Sequence, residues 1–410
     1  MADYFQNGPI TTLHQIGTRC LRTLESELQE HAKRRNMVLL LPALFSEFET
    51  EAMEVILKEL QGVTYLYKII LGLDRADPHQ FHEVKNRMSV LDVPVDVIWN
   101  DGPGIRGLYQ ELEQKGFSGF DIPGKGRNVW TMMAYAFTDK NIYAMGLHDC
   151  DIVNYRREIP ARLLFPVVHP ALDFEFNKGF YARVTDRLHG RATRLFYTPL
   201  IRSMERVFGR AAYLDYMDSF RYALSGEVAF IRTLARGIRI SPTWGLEVST
   251  LSEVFNHTSE NRICQTEIME SYDHKHQDLG EKDARAGVAK MASEIAQAIF
   301  REMSQQGSVF SDAGFNSLVA TYFGEAHQAI NKFNALAKIN DLSYDWKAEI
   351  AAVDVFVHSL REAIQAFVQD PLGVPSLPAW ISVRSVIPDF SDRMQQTVEA
   401  DNQRGARFLS

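Results

Sequence analysis

The chain has 410 residues, enough for two domains or one large domain with an appendage. Apolar residues make up 46% and charged residues 23%, an ordinary globular composition with a sizeable core. The net charge of −8 argues against bulk nucleic-acid binding, and three scattered cysteines without a CxxC argue against a disulfide framework or zinc knuckle.

The opening MADYFQNGPITTLHQ has neither a basic segment nor an apolar signal core. The longest apolar runs, such as MVLLLPALF, fall far short of the roughly 20 residues a membrane helix needs. A cytoplasmic protein without a membrane span is expected. Residues 1–35 read as an N-terminal extension, helical through LHQIGTRCLRTLESELQEHAKRR. From Asn36 the character changes. MVLLLPALF has the length and continuous apolarity of a parallel strand buried on both faces. EFETEAMEVILKELQGV follows as an amphipathic helix, with Glu47 and Glu49 in its first turn and Gly62 at its stop. YLYKIILGLD is a second strand ending at Asp74, HQFHEVKNRMSVL a helix and VPVDVIW a third strand. GKGRNVWTMMAYAFT is a helix opened by a glycine turn, and NIYAMGLHDCD a fourth strand. This alternation predicts a mostly parallel α/β sheet with right-handed crossovers.

Beyond it, FPVVHPALDFEFNKGFYAR reads as strands, RATRLFYTPLIRSMERVF as a helix, and ALSGEVAFIRTL as a strand or turn. TWGLEVSTLSEVFN reads as a helix, and RICQTEIMESYDHKH as a last strand and loop. From about residue 283 to 369 the pattern is almost wholly helical. The expected division is therefore 1–35, a catalytic domain over 36–283, and a mostly helical 284–410 region serving oligomerisation, with a homodimer as the assembly.

Five groups of residues carry chemistry. Asp149 and Asp151, one residue apart after a strand, face the same way if extended and suit one hard cation beneath a diphosphate; an Asp helix cap fits as well. Gly124-Lys125-Gly126 opens a helix, where the backbone favours anions, although a Pro-Gly turn with a solvated lysine fits equally. Glu227 in SGEVAFIR and Glu247 in TWGLEVST each put a carboxylate beside a glycine, to hold an acceptor hydroxyl or simply cap a helix. His274 and His276 lie in SYDHKHQDL, as a metal ligand or as loop histidines. Arg183, Arg187, Arg191 and Arg194, with Lys178 ahead, form a basic cluster able to grip carboxylate or phosphate, or a solvated face.

The order of these pieces is more specific than any one of them. PALxxE, a strand-end Asp, PGKG, DxD, GE and GLE, with GRATRLFYTPLI, resemble the GT-A glycosyltransferases that make glucosyl-3-phosphoglycerate, and the related mannosylglycerate synthases, over roughly residues 37–285. The resemblance implies a GT-A fold, Rossmann-like with a mostly parallel sheet, that transfers a hexose from a nucleotide sugar to a small anionic acceptor with Mg²⁺ or Mn²⁺. It places Pro42, Ala43, Leu44, Glu47 and Asp74 at the nucleotide's base and ribose, and Gly124 and Lys125 at the diphosphate. Asp149 and Asp151 form the DxD, Asp151 being the direct metal ligand and His274 the second. Gly226 and Glu227 would touch the donor sugar, and Glu247 would sit near the anomeric centre. Arg191, Thr193 and Arg183 would hold the acceptor. Catalysis would rest on Glu247, Lys125 and Asp151.

Cys150 between the aspartates and Ser225 in LSGE depart from the family's usual small or polar residue and LGGE, and His276 is not counted as a ligand. The best expectation is UDP-glucose with 3-phosphoglycerate. The alternatives are a mannosylglycerate-type synthase using GDP-mannose with D-glycerate or phosphoglycerate, a sugar-phosphate nucleotidyltransferase, and a non-catalytic scaffold. LPALFSEFE, where a nucleotidyltransferase carries a GxGTRxxP-like loop, argues against the nucleotidyltransferase.

Overall fold

Residues 6, 8–17, 19–271 and 282–404 are described in a computed structural model. The first half contains β1 (Thr11–Leu13), α1 (Leu21–Ala32), β2 (Asn36–Leu44), α2 (Glu51–Leu60), β3 (Leu66–Asp74), α3 (Pro78–Met88), β4 (Val95–Trp99), α4 (Pro103–Gln114), α5 (Lys125–Ala136) and β5 (Ile142–Leu147). Next come α6 (Glu158–Val168), β6 (Phe176–Ala182), a π-helix (Ala192–Tyr197), α7 (Thr198–Phe208), α8 (Ala212–Ser219), β7 (Val228–Ile231), α9 (Arg232–Ala235), α10 (Leu246–His257) and β8 (Ile263–Ser271). Helices α11 (Lys282–Gln305), α12 (Asp312–Ile339), α13 (Trp346–Gln369), α14 (Trp380–Val386) and α15 (Phe390–Arg404) follow.

The strands form one sheet in the order β1-β8-β6-β7-β5-β2-β3-β4. All neighbours are parallel except β7, which runs antiparallel to both β5 and β6. Strand β2 is buried from Met37 to Ala43, as a central strand covered on both faces must be. Its neighbours β3 and β5 end at the same edge, and the start of β7 reaches that edge too, because Val228 registers with Leu147. Local signals close the helices: Asp77 caps α3 reciprocally with Gln80, and Gly62 takes a left-handed φ of 72° after α2.

Helix α5 is buried at nearly every position because it lies between the sheet and the C-terminal helices. Asn128 donates to the Gly72 carbonyl of β3 at 2.7 Å, and Trp130 Nε1 donates to the Pro378 carbonyl at 2.7 Å. The helix that carries Lys125 is thus held from both sides. The C-terminal helices divide their packing. α12 lies on α7, α11 packs with α13 and α10, and α15 lies against β4, α4 and α5, where Arg393 forks onto Glu111. Among the described residues, no helix is long and apolar enough to cross a membrane.

Several expectations need correction. FPVV, with its β-branched pair, is the last turn of α6 rather than a strand; that helix is apolar around most of its circumference because it sits between the sheet and α1. LHQIG is not helical, since Thr11–Leu13 pairs in parallel with β8 and the helix begins at Leu21. Glu47 belongs to a separate 3-10 turn, Phe45–Glu47, ahead of α2. The fourth strand ends at Leu147, so the acidic pair lies in the turn beyond it. RATRLFY opens as a π-helix before α7 takes over.

Candidate active site

The turn after β5 is built around a histidine. His148 is fully buried; its Nδ1 lies 2.9 Å from the Asp149 carbonyl oxygen and its Nε2 3.0 Å from the Tyr155 hydroxyl. A carbonyl only accepts, so Nδ1 donates and Nε2 accepts from the tyrosine. Burial pushes this imidazole down to about 4, against the pull of the Asp149 carbonyl and charge. A neutral ring therefore fixes the backbone of Asp149. Cys150 points inward and is buried, which leaves Asp149 and Asp151 half-buried on the same turn.

Lys125 begins α5, preceded by Gly124 at φ 154°, a conformation open essentially to glycine alone. A Cβ at Gly126 would fall 2.0 Å from the Ser241 carbonyl, so the helix start presses directly on the 241–242 backbone. This seating aims Lys125 Nζ at Asp149 Oδ1, 2.6 Å away, and at Glu247 Oε1, 3.1 Å away. Burial opposes the charge on this lysine, but the two carboxylates outweigh it and hold the ammonium charged well above its ordinary range. Glu247 itself stands in the first turn of α10.

Beside this triad, Glu47 accepts from the Leu44 backbone N–H at 3.1 Å. Burial, with the charges of Asp151 and Asp149, raises its carboxyl to about 8. Pro42 and Ala43 are buried at the end of β2. Asp74, at the end of β3, is 4% exposed; burial raises it to about 6 against the pull of Arg127 and Asn100. Its Oδ1 is buried and has no hydrogen-bond partner among the described residues. Sequence reasoning did not single out Arg127, since an arginine inside a helix start looks like any solvated one.

On the β7 side, Gly226 packs against the Asp149 carboxylate: a Cβ there would meet Oδ2 at 2.6 Å. Glu227 has no exposed surface and accepts from the Tyr181 hydroxyl at 2.9 Å, so it is enclosed behind the site rather than open to it. Lys178 of β6 is also enclosed, at 1% exposure, and donates to the Ser225 carbonyl. Burial draws its ammonium down to about 8, while Glu247 and Glu227 hold it up. Sequence reasoning gave Lys178 no role of its own; a charge inside the buried strand FNKGFYA is the signal that could have done so.

The residues expected on the acceptor side are Arg183, Arg191 and Thr193, and Arg183 lies within electrostatic reach of Asp151. Arg183 Nη1 donates to the Tyr222 hydroxyl at 3.2 Å, and its buried Nε has no partner among the described residues. Arg191 precedes the π-helix and Thr193 lies within it, both half-buried. Arg191 Nε donates to Glu349 of α13 at 2.7 Å, a partner no local pattern announces. His274 and His276 lie outside the described residues.

The structure therefore gathers Glu47, Lys125, Asp149, Asp151, Gly226 and Glu247 from five segments at the carboxyl edge of a parallel sheet, where such folds bind ligands. An acidic turn and one committed lysine form a site for a charged, polar ligand, and the buried Asp74 carboxyl closes the neighbouring strand β3.

A mostly parallel sheet with a lysine-linked acidic site at its carboxyl edge is the arrangement expected of a GT-A glycosyltransferase. No protein-family model matches the chain. It is 59% identical over 402 residues to a glucosyl-3-phosphoglycerate synthase of Persephonella marina, covering 98% of this chain and 99% of that one. It is 33% identical to a second, of Methanococcoides burtonii, covering 97% and 98%. The chain belongs to the glucosyl-3-phosphoglycerate synthase family. Its fold is shared by the crystal structure of the Mycobacterium tuberculosis glucosyl-3-phosphoglycerate synthase, at 20% identity and a TM-score of 0.50, covering 74% of this chain and 90% of that one.

Proposed function

We propose that this chain transfers glucose from UDP-glucose to 3-phosphoglycerate with retention of configuration, using Mg²⁺ or Mn²⁺. The observation that carries the reading is Lys125 placed between Asp149 and Glu247 at the sheet's carboxyl edge. Both curated relatives carry the corresponding name, and the Mycobacterium tuberculosis protein has been crystallised with Mn²⁺, UDP-glucose and phosphoglyceric acid, and with Mg²⁺ and UDP.

The residues fit a hard cation. Three carboxyl groups, Glu47, Asp149 and Asp151, crowd the turn, and the charge of the aspartates helps keep Glu47 protonated. Asp151 and Asp149 would hold the ion, with His274 as a further ligand. A divalent ion there neutralises the charge that develops on a departing diphosphate. Lys125 adds a fixed ammonium aimed at the same charge, pre-set by its carboxylate partners so that little reorganisation is needed. Glu47, fixed by the Leu44 N–H, presents its carboxyl group to the nucleotide as a hydrogen-bonding partner. Asp74 offers its unpaired Oδ1 to a base or ribose donor.

Glu247, tied to Lys125, positions the acceptor hydroxyl near the anomeric carbon. No carboxylate is assigned as a covalent nucleophile. The acceptor oxygen attacks from the face the diphosphate leaves, and a leaving phosphate oxygen takes its proton. Arg191, Arg183 and Thr193 bind the acceptor's phosphate and carboxylate. A homodimer is the proposed assembly, read by light scattering.

The test is calorimetry of UDP, GDP and ADP with Mn²⁺ and with chelator, followed by an assay of UDP-glucose with 3-phosphoglycerate. Metal-dependent preference for UDP and formation of glucosyl-3-phosphoglycerate are expected. Preference for GDP would move the activity to mannosyl transfer, and no metal-dependent nucleotide binding would overturn the site.

A further inference from the structure

The C-terminal helices do more than cover the sheet. They grip the acceptor-side segment 183–197 at several points. Tyr322 of α12 donates its hydroxyl to the Leu195 carbonyl of the π-helix at 2.8 Å. Phe196 packs on Tyr322 and on Phe356 of α13, at ring separations of 5.7 and 5.3 Å. The Ser343 N–H donates to the Asp186 carbonyl at 2.8 Å, and the Arg194 guanidinium lies over the Phe333 ring. π-Helical turns are rare and concentrate at functional sites, and this one has its conformation supported from α12 and α13.

At the centre of this grip is Glu349, whose side chain is 4% exposed. Its carboxylate accepts from Arg191 Nε at 2.7 Å and from Arg194 Nη1 at 2.8 Å and Nη2 at 3.3 Å. The two arginines differ. Arg194, 10% exposed, also donates to the His189 and Leu188 carbonyls and is wholly committed to structure. Among the described residues Arg191, 30% exposed, spends only Nε, on Glu349, which leaves the two terminal nitrogens of its fork for a phosphate or carboxylate. Burial works against the Glu349 charge, but Arg194 and Arg191 together keep its carboxyl below the usual range.

We propose that Glu349 is a positioning residue for the acceptor, holding the Arg191 guanidinium in the orientation that grips 3-phosphoglycerate, so that α13 completes the acceptor subsite. This rests on the reading of Arg191 as an acceptor contact. A long flexible side chain binds a phosphate well only when its rotamer is already set, and a buried carboxylate on one edge of the fork sets it.

The test is steady-state kinetics of the full chain with UDP-glucose and 3-phosphoglycerate. Glu349→Gln and Glu349→Asp should each raise the acceptor KM about 10-fold or more, from the weakened charge-assisted bond to Arg191. The KM for UDP-glucose and the Mn²⁺-dependent affinity for UDP should stay within about twofold, the margin that separates a local effect from a global one. Glu349→Asp keeps the buried charge, so it decides the matter if Glu349→Gln does not fold. Glu325→Gln, which breaks the pair with Arg206 on the α7 side of the same helices, should leave both KM values unchanged. In an Arg191→Ala background, Glu349→Gln should add nothing to the acceptor KM, because coupled partners are not additive. An unchanged acceptor KM in folded Glu349 variants while Arg191→Ala raises it overturns this proposal alone. Equal damage to both KM values also overturns it. An acceptor KM untouched by Arg191→Ala overturns the reading of Arg191 and the proposal with it.

Discussion

Lys125 Nζ lies 2.6 Å from Asp149 Oδ1. This contact joins the start of α5 to the turn after β5, and the same ammonium reaches Glu247 at 3.1 Å. One cation thus ties together three segments that are remote in the chain. Lys125→Met removes it without disturbing the buried face of α5. The expected result is a fall in kcat of roughly 10²–10³, the range seen when one preorganised electrostatic group is lost. The melting temperature should change by only a few degrees, which circular dichroism would check. Lys125→Arg should not restore full activity, because a planar fork does not replace a compact ammonium between two carboxylates.

Gly226 owes its identity to Asp149. A methyl group there would lie 2.6 Å from Oδ2 and 2.8 Å from Cγ of that carboxylate. The side chain of Asp149 can swing, so Gly226→Ala should fold. It should nonetheless displace the carboxylate from its place beside Lys125. Calorimetry is expected to show Mn²⁺-dependent UDP binding weakened about 10-fold or more, equivalent to about 1.4 kcal/mol. Equal affinity in the variant would mean Asp149 is not a ligand-side group.

Stability should fall as the pH rises through the neutral range in chelator. Glu47 moves from 4.5 to about 8 on folding, and Asp74 from 3.8 to about 6. Between each pair of values the folded state holds a proton that the unfolded state has lost, so the slope of stability with pH is negative. The effect begins near pH 4 and is complete only above about 8. Thermal melts of Glu47→Gln should be flatter between pH 6 and 8 than those of the parent chain. A parallel pair of curves would rule out the raised Glu47.

His148 works in the opposite direction. Its folded value, about 4, lies below the ordinary 6.5, so the unfolded state binds the extra proton between these values. Stability contributed by the neutral ring is therefore present above pH 6.5 and lost as the pH falls towards 4. His148→Phe should remove that part of the acid sensitivity. It should also free the Asp149 carbonyl and the buried Tyr155 hydroxyl, leaving both groups without their ring partner. Metal-dependent UDP affinity should drop more than UDP affinity in chelator, as titration of both conditions would show.

Much of the sheet-forming part was legible because its signals are local. The run NMVLLLPAL could only be a strand buried on both faces, and it is the central β2. PGKG announced a helix start at Lys125, and the helix begins there. The acidic pair was placed at a strand end, and β5 stops two residues before Asp149. FPVV failed for an equally local reason. A buried helix covered on two sides shows no amphipathic period, so four apolar residues fit either state. Helices α4, α14 and α15 were not singled out at all, being short or polar in pattern.

The chain's own sequence determined the central strands and most of their helices, the edge at which the expected ligand residues collect, and the family resemblance, because strand periodicity, glycine turns and motif order are written over short stretches. Only the tertiary structure decided which charges meet. Lys125 faces Glu247 across 122 positions, and Arg191 faces Glu349 across 158. It also decided that Glu227 and Lys178 are enclosed while Arg191 keeps part of its fork exposed. Those outcomes depend on desolvation and on packing between distant segments, and no local pattern of residues encodes either.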